Sequence, residues 1–104
     1  METGYRVLAG IDVHKEMLAV VVRSESGDQI GYEKREFGTT QAELVHLTAW
    51  LQSKGVSAVV MESTAQYWRP VWHALEAHFK LHLTHPMAAR ARKAANMILA
   101  MGSG

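Results

Sequence analysis

Two short apolar runs, each ending in a carboxylate, constrain the fold of this chain more than any other feature of its sequence. The first extends from Arg6 to Asp12 and the second from Val56 to Glu62. Both are too short for a comfortable helix and are typical of strands that are buried on both faces. If the two strands are parallel neighbours, both carboxylates leave the sheet at the same end, where open α/β sheets bind their ligands.

The segment between these runs begins with a predicted hairpin. Residues 18–23 are rich in valine, and residues 24–28 are a cluster of turn formers. Apolar side chains then occur among charges over residues 30–37. This pattern predicts two antiparallel strands, of which the second lies near the edge of the sheet.

A helix is predicted over about residues 40–54. Thr40 is a suitable N-cap, and Glu43 follows it at the spacing of a capping box. Apolar residues recur at helical spacing at Leu44, Leu47 and Leu51. Gly55 stands where a left-handed C-terminal cap is expected. The helix would connect the hairpin to the second carboxylate-bearing strand.

The rest of the chain alternates helix and strand. One helical stripe contains Trp68, Val71, Trp72, Leu75 and Phe79. Pro70 should fall in the first turn of this helix or kink it. Residues 81–84 predict a further strand and the alanine-rich residues 87–101 a further helix. The order is β-β-β-α-β-α-β-α, which indicates an α/β fold with a mixed sheet flanked by helices.

Composition and charge restrict the functional classes. The chain is 48% hydrophobic and 20% charged, as in ordinary globular domains, and it has no cysteine for a disulfide, thiolate site or thiol nucleophile. It has no signal-peptide pattern and no apolar run of about 20 residues, so we expect a cytoplasmic protein without a membrane span. Residues 77–104 contain four Lys or Arg and no acid. An anionic partner and an ordinary solvated helix face explain that cationic tail equally well.

The two carboxylates point to a hard divalent cation. A buried carboxylate is costly unless it is paired or metal-bound, and no basic residue adjoins Asp12 or Glu62 closely enough in sequence to be an obvious partner. Mg²⁺ is typically held by one or two carboxylates together with water and phosphate oxygens. The alternative from spacing alone is that each acid only marks where a strand meets solvent.

A set of motifs gives the chain a family resemblance. The matching segments are residues 10–16 (Gly-Ile-Asp-Val-His-Lys-Glu), Phe37 and Thr39 before the helix, residues 61–68 (Met-Glu-Ser-Thr-Ala-Gln-Tyr-Trp), and His85-Pro86. Together they resemble the N-terminal domain of the DEDD transposases of bacterial insertion sequences over nearly all of residues 6–90. Ala65 departs from the pattern, because the family often has glycine there.

The resemblance implies a RuvC-type, RNase H-like fold in which Asp12 and Glu62 are catalytic and bind Mg²⁺ or Mn²⁺. It also implies double-stranded DNA as substrate, a structured guide RNA as partner and a homo-oligomer in the full-length protein. The third and fourth acids of the family have no counterpart, since Glu76 is the last acid of this sequence. We therefore interpret residues 1–86 as a catalytic-domain fragment followed by a truncated basic helix and tail at 87–104. We expect little strand-transfer activity from it alone.

Cationic residues are candidates for contacts with nucleic acid. Arg90, Arg92 and Lys93 would contact phosphates if the last helix is ordered, and truncation of that helix is the competing explanation. His14 and Lys15 follow Asp12 and could also touch a phosphate. Exposed turn residues are the simpler interpretation of this pair.

Aromatic and histidine clusters have alternative interpretations. Tyr67, Trp68 and Trp72 could stack on bases, although at helical spacing we expect core positions. The spacing of His78, His82 and His85 would allow zinc ligation, but the three lie on different predicted elements, so surface or structural roles are expected.

Two other functions stay open at the level of sequence. One is a catalytically silent nucleic-acid-binding or oligomerisation module with the same fold. The other is an actin-like phosphotransferase, which also begins with Gly-Ile-Asp before a hairpin. The second is weakened because Val13-His14-Lys15 replaces the phosphate-binding glycines and threonine expected there.

Overall fold

A computed structural model of the chain describes residues 5–84, which form a single sheet with two helices. The strands are β1 (Tyr5–Val13), β2 (Leu18–Ser26), β3 (Gln29–Phe37), β4 (Ala58–Ser63) and β5 (Lys80–Thr84). The helices are α1 (Gln41–Ser53), between β3 and β4, and α2 (Trp68–Leu75), between β4 and β5. The predicted element order is confirmed as far as β5. The predicted helix over 87–101 and the domain boundary after residue 86 lie outside the described residues.

The sheet is mixed, with the strand order β3-β2-β1-β4-β5. Strands β1, β2 and β3 form an antiparallel meander, and β4 and β5 run parallel to β1. Parallel neighbours require a crossover, and α1 and α2 provide the two crossovers after β3 and β4. The α/β mixed sheet predicted from the sequence is confirmed, and β3 lies at the sheet edge as expected.

Helix α1 begins and ends where its capping residues predict. The Thr40 side chain accepts a hydrogen bond from the Glu43 backbone N–H at 3.2 Å. The Glu43 carboxylate accepts from the backbone N–H of Gly38 at 2.9 Å, two residues before the N-cap, instead of closing the expected capping box on Thr40 itself. Gly55 has a φ of 75°, the left-handed conformation of a helix C-terminal cap.

Helix α2 is shorter than its apolar stripe. It spans only Trp68–Leu75, so Phe79 lies beyond its C-terminal end while remaining in the main core. Pro70 is the third residue of the helix, within the first turn, where a missing backbone donor leaves no intrahelical bond unmade. The predicted alternative, a kink at Pro70, is therefore not needed.

The two faces of the sheet have different roles. One face packs against α1 and α2 and forms the main core, which includes Val7, Ala9, Ile11, Leu47, Leu51, Val59, Met61, Val71 and Leu75. Because side chains alternate along a strand, the intervening residues of β1 and β4 point to the opposite face. That second face contains a small buried cluster of Leu8 and Val60. Asp12 and Glu62 therefore point to this second face, as Leu8 and Val60 do.

Candidate metal centre

The register of the sheet brings the two carboxylate residues side by side. In the parallel pairing of β1 with β4, Asp12 is the Cα partner of Glu62. Neighbouring strands are about 4.8 Å apart, and partners in register point to the same face. Asp12 and Glu62 therefore lie at one end of the sheet, on the face opposite the two described helices. The juxtaposition expected from the strand pattern is present in the structure.

The chain turns immediately after each carboxylate-bearing strand. After β1, the backbone N–H of His14 donates to the carbonyl of Met17 at 3.0 Å, which closes the turn into β2. After β4, Ala65 adopts a φ of 50°, in the left-handed region that favours glycine. The position at which this chain departs from the family pattern is therefore one where glycine would relieve a backbone cost.

Asp12 is partly exposed and has a histidine as its neighbour. Its side chain is 31% exposed, and its Oδ2 lies 3.0 Å from Nε2 of His14. An ionised carboxylate can only accept, so the His14 ring nitrogen is the donor in this hydrogen bond. The expectation that Asp12 has no basic partner close in sequence was wrong, because the turn after Val13 folds the ring back over the end of β1.

Glu62 is buried, with only 2% of the residue exposed. It is flanked by Asp12 on β1 and by Thr84, its partner on β5. The Thr84 hydroxyl donates to the carbonyl of Met61 at 3.2 Å, which attaches β5 to β4 beside the site. A buried carboxylate thus lies next to a partly exposed one, and the two would offer an inner and an outer oxygen ligand to a cation.

The donor set fits a hard divalent cation in part. Carboxylate oxygens are the ligands that Mg²⁺ and Mn²⁺ take in proteins, and one or two of them with water and phosphate oxygens complete an Mg²⁺ sphere. Within residues 5–84, no group of three or more His, Asp or Glu residues comes together around one point. Asp12 and Glu62 would hold such an ion with the remaining positions open to water or substrate.

The other predicted nucleic-acid contacts divide between the described part and the rest of the chain. Lys15 is exposed in the β1–β2 turn, and its backbone carbonyl accepts a long hydrogen bond of 3.4 Å from Thr39 Oγ1. It is thus near the carboxylate end of the sheet. Arg90, Arg92 and Lys93 lie outside residues 5–84.

The core interpretation of the aromatic residues holds for two of the three. Trp68 and Trp72 meet edge to face, with ring centroids 5.7 Å apart, and both pack against the main core. Tyr67 is 40% exposed, so the core interpretation was wrong for this residue. It precedes α2 at the N-cap position and does not share the apolar stripe of the helix.

The histidines considered as zinc ligands lie on different elements. His78 Nδ1 is 3.2 Å from the side-chain nitrogen of Gln52, at the C-terminal end of α1. His82 is exposed on β5, and His85 lies outside the described residues.

A cleft of about 330 Å³ lies away from the carboxylates. It is located between α1 and α2, with Leu44, Val45, Ala74 and His78 in its lining. These helices cover the core face of the sheet, opposite Asp12 and Glu62. The cleft is therefore not part of the carboxylate site.

The fold and the paired carboxylates place the chain among α/β proteins with an RNase H-like fold. The crystal structure of the fowlpox virus Holliday junction resolvase superposes with a TM-score of 0.58 at 12% identity, covering 93% of this chain and 74% of the viral chain. The structure of that resolvase with Holliday junction DNA gives a TM-score of 0.56 at 11% identity, with the same coverage. A Ppx/GppA family member from Aquifex aeolicus has a TM-score of only 0.48 at 11% identity.

The family itself is shown by sequence. A family model described as the transposase of the DEDD type of insertion sequence IS110 matches residues 9–99. The chain belongs to this transposase family, as the motifs predicted. Comparison with curated protein sequences gave no match. The chain spans 36% of the length of the Aquifex aeolicus protein.

None of the helices within residues 5–84 is long and apolar enough to cross a membrane.

Proposed function

We propose that this chain supplies a divalent-cation site, held by Asp12 and Glu62, to a transposase that cleaves and joins DNA phosphodiesters. The observation that carries the proposal is the register of the β1–β4 pair, in which the two carboxylate residues are direct partners. Two carboxylates side by side repel one another, and a cation between them removes that repulsion. The charges of both residues would therefore favour a cation bound between them.

The two carboxylates have different duties in this proposal. Glu62 is buried and surrounded by β1 and β5, so its position is fixed by the sheet. Asp12 is partly exposed and faces the side from which a substrate phosphate would arrive. Bound Mg²⁺ or Mn²⁺ would supply stabilisation of the charge that develops on the attacking and leaving oxygens of the phosphodiester. The residues themselves orient the cation and keep its outer positions open.

We propose double-stranded DNA as the substrate, contacted by Lys15 near the carboxylate end of the sheet and by basic side chains of the segment that follows β5 in the sequence. Lys15 lies in the turn that follows Asp12, and Arg90, Arg92 and Lys93 form a basic segment without acids after β5. Lysine and arginine contacts to phosphates position the nucleic acid without reading its sequence. The family resemblance also predicts a structured guide RNA and a homo-oligomeric full-length protein. The sequence predicts a cytoplasmic location. These three stay predictions.

The metal part of the proposal is tested by calorimetric titration of the 104-residue chain with Mn²⁺. We expect saturable binding that is lost in Asp12→Asn and in Glu62→Gln, because each change removes one anionic ligand while conserving shape. Glu36→Gln is the matched control. Glu36 is exposed on β3 in the same transverse row, since it pairs with Ala19, which pairs with Asp12. Equal affinity in the wild type and in the Asp12 and Glu62 variants would rule the site out.

The DNA part is tested by measuring duplex affinity over a range of salt concentrations. Each phosphate contact that is lost should lower the slope of log K against log salt by about 0.9. We expect this reduction in Lys15→Gln and a larger one in the combined Arg90→Gln, Arg92→Gln, Lys93→Gln variant. Arg69→Gln is the control. Arg69 lies on α2, and its Nε–H already donates to Gln66 Oε1 at 2.8 Å. A slope unchanged in both test variants would contradict the assignment.

A further inference from the structure

We infer that His14 is a positioning residue that holds the Asp12 carboxylate in the orientation required for cation binding. The carrying observation is the 3.0 Å hydrogen bond from His14 Nε2 to Asp12 Oδ2, formed across the turn at the end of β1. The inference deepens the proposed function and rests on it, because it assigns a role in the same site. His14 does not itself bind the cation in this account.

The backbone around His14 is built to keep the ring in place. The His14 N–H bonds to the Met17 carbonyl at 3.0 Å, and Lys15 accepts a bond from Thr39 in the loop before α1. The turn is therefore tied both to itself and to the β3–α1 connection. His14 remains 46% exposed, so its ring packs little against the core. Its specific contact in the described structure is with Asp12.

Within residues 5–84, two other histidines also contact carboxylates, and their surroundings differ from those of His14. His46 Nδ1 lies 3.8 Å from Glu43, and His73 Nδ1 lies 3.2 Å from Glu76. In each pair the residues are three apart along or at the end of a helix, and both histidine side chains are largely exposed. They are ordinary helix-surface pairs far from Glu62 in the topology. The His14 pair alone among these three involves a proposed cation ligand.

The chemistry of a carboxylate explains why one such bond would help rather than block binding. An ionised carboxylate has about four lone-pair sites on its two oxygens. A single N–H on Oδ2 occupies one of them and restrains rotation of the group about χ2. Oδ1 and the second lone pair of Oδ2 stay able to accept a cation. Hydrogen bonds to ligating side chains typically affect metal affinity by about 10–100-fold.

The test compares Mn²⁺ affinity in His14→Ala and His14→Gln, with His46→Ala and His73→Ala as matched controls. His14→Ala should weaken Mn²⁺ binding roughly ten-fold, the lower end of that range, because the pair is half exposed. His14→Gln keeps an N–H donor at similar reach and should stay within about three-fold of wild type. The controls should bind as wild type does. The thermal midpoint without metal should be unchanged, which separates positioning of Asp12 from a general loss of stability.

The outcomes distinguish this inference from the proposed function. If Asp12→Asn loses Mn²⁺ binding while His14→Ala binds as tightly as wild type, the cation site stands and the inference about His14 fails. Tighter binding in His14→Ala would show that His14 competes with the cation for Asp12, which also overturns the inference. Equal weakening in His14→Gln and His14→Ala would do the same. If Asp12→Asn itself binds normally, the proposed function fails.

Discussion

Replacing Arg23 with methionine should raise the free energy of unfolding by about 1–2 kcal/mol. Arg23 lies on β2, between Leu8 of β1 and Tyr32 of β3 in the register. It is only 1% exposed. Within residues 5–84, none of its three guanidinium nitrogens forms a hydrogen bond. It forms an ion pair with Glu25, whose Oε1 lies 3.5 Å from Nη1.

The magnitude follows from opposing contributions that nearly cancel. Desolvation of a buried guanidinium costs several kcal/mol, and each donor without an acceptor adds to that cost. The attraction to Glu25 at 3.5 Å returns at most about 5 kcal/mol at an effective dielectric constant of about 20. Tyr32 adds little, because its ring centroid is 6.0 Å away. A methionine of similar length keeps the packing against Leu8 without the desolvation cost. The variant should therefore have the higher free energy of unfolding.

Urea denaturation followed by circular dichroism provides the measurement. Arg35→Met is the matched control. Arg35 is an exposed arginine on β3 whose guanidinium lies 4.9 Å from the Phe37 ring and 5.5 Å from the Trp50 ring. Arg35→Met removes these ring contacts and should lower the free energy of unfolding by about 0.5–1 kcal/mol. If Arg23→Met instead lowers stability by more than about 1 kcal/mol, the guanidinium has acceptors that outweigh its desolvation, and the reasoning is refuted.

Two further pairs of substitutions, each a test and a control, probe the local structure. Ala65→Gly should raise the free energy of unfolding by about 0.5–1 kcal/mol, because φ is 50° there. Ala49→Gly, on the exposed face of α1, is the control and should lower the free energy of unfolding by about 1 kcal/mol. Equal effects of the two substitutions in thermal melts would contradict the left-handed conformation of Ala65. Leu47→Ala should cost about 3–4 kcal/mol because the residue is fully buried in the core beneath α1. Val45→Ala, on the exposed side of the same helix, should change stability by less than about 0.5 kcal/mol in the same urea titration, and a comparable loss at both positions would show that α1 does not pack as described.

Much of the fold was accessible from the sequence because its signals are local. The cap at Thr40, the left-handed Gly55 and the apolar run of β4 each depend on a few neighbouring residues, and each predicted its element to within one or two positions. The lengths of β2 and α2 were less accessible. Strand β2 continues to Ser26 through residues with turn-forming character, because pairing with β1 and β3 outweighs their propensity.

The site was accessible only in part, for a geometric reason. Strand polarity and register determine whether Asp12 and Glu62 meet, and the crossover through α1 made parallel pairing the natural expectation. The bond from His14 to Asp12 depends on the conformation of a four-residue turn, which sequence spacing does not specify. Tyr67 shows the same limit, since its exposure depends on its place at the N-cap of α2, before the helix begins.

Anomalous diffraction from crystals of the chain soaked in Mn²⁺ tests the central claim most directly. We expect an anomalous peak between the carboxylates of Asp12 and Glu62, with metal–oxygen distances of about 2.0–2.3 Å to at least one oxygen of each. The same soak of Glu62→Gln crystals should show no such peak. An anomalous peak elsewhere on the protein, or an ion bound by only one of the two carboxylates, would contradict the proposal that β1 and β4 bring the pair together to hold one cation.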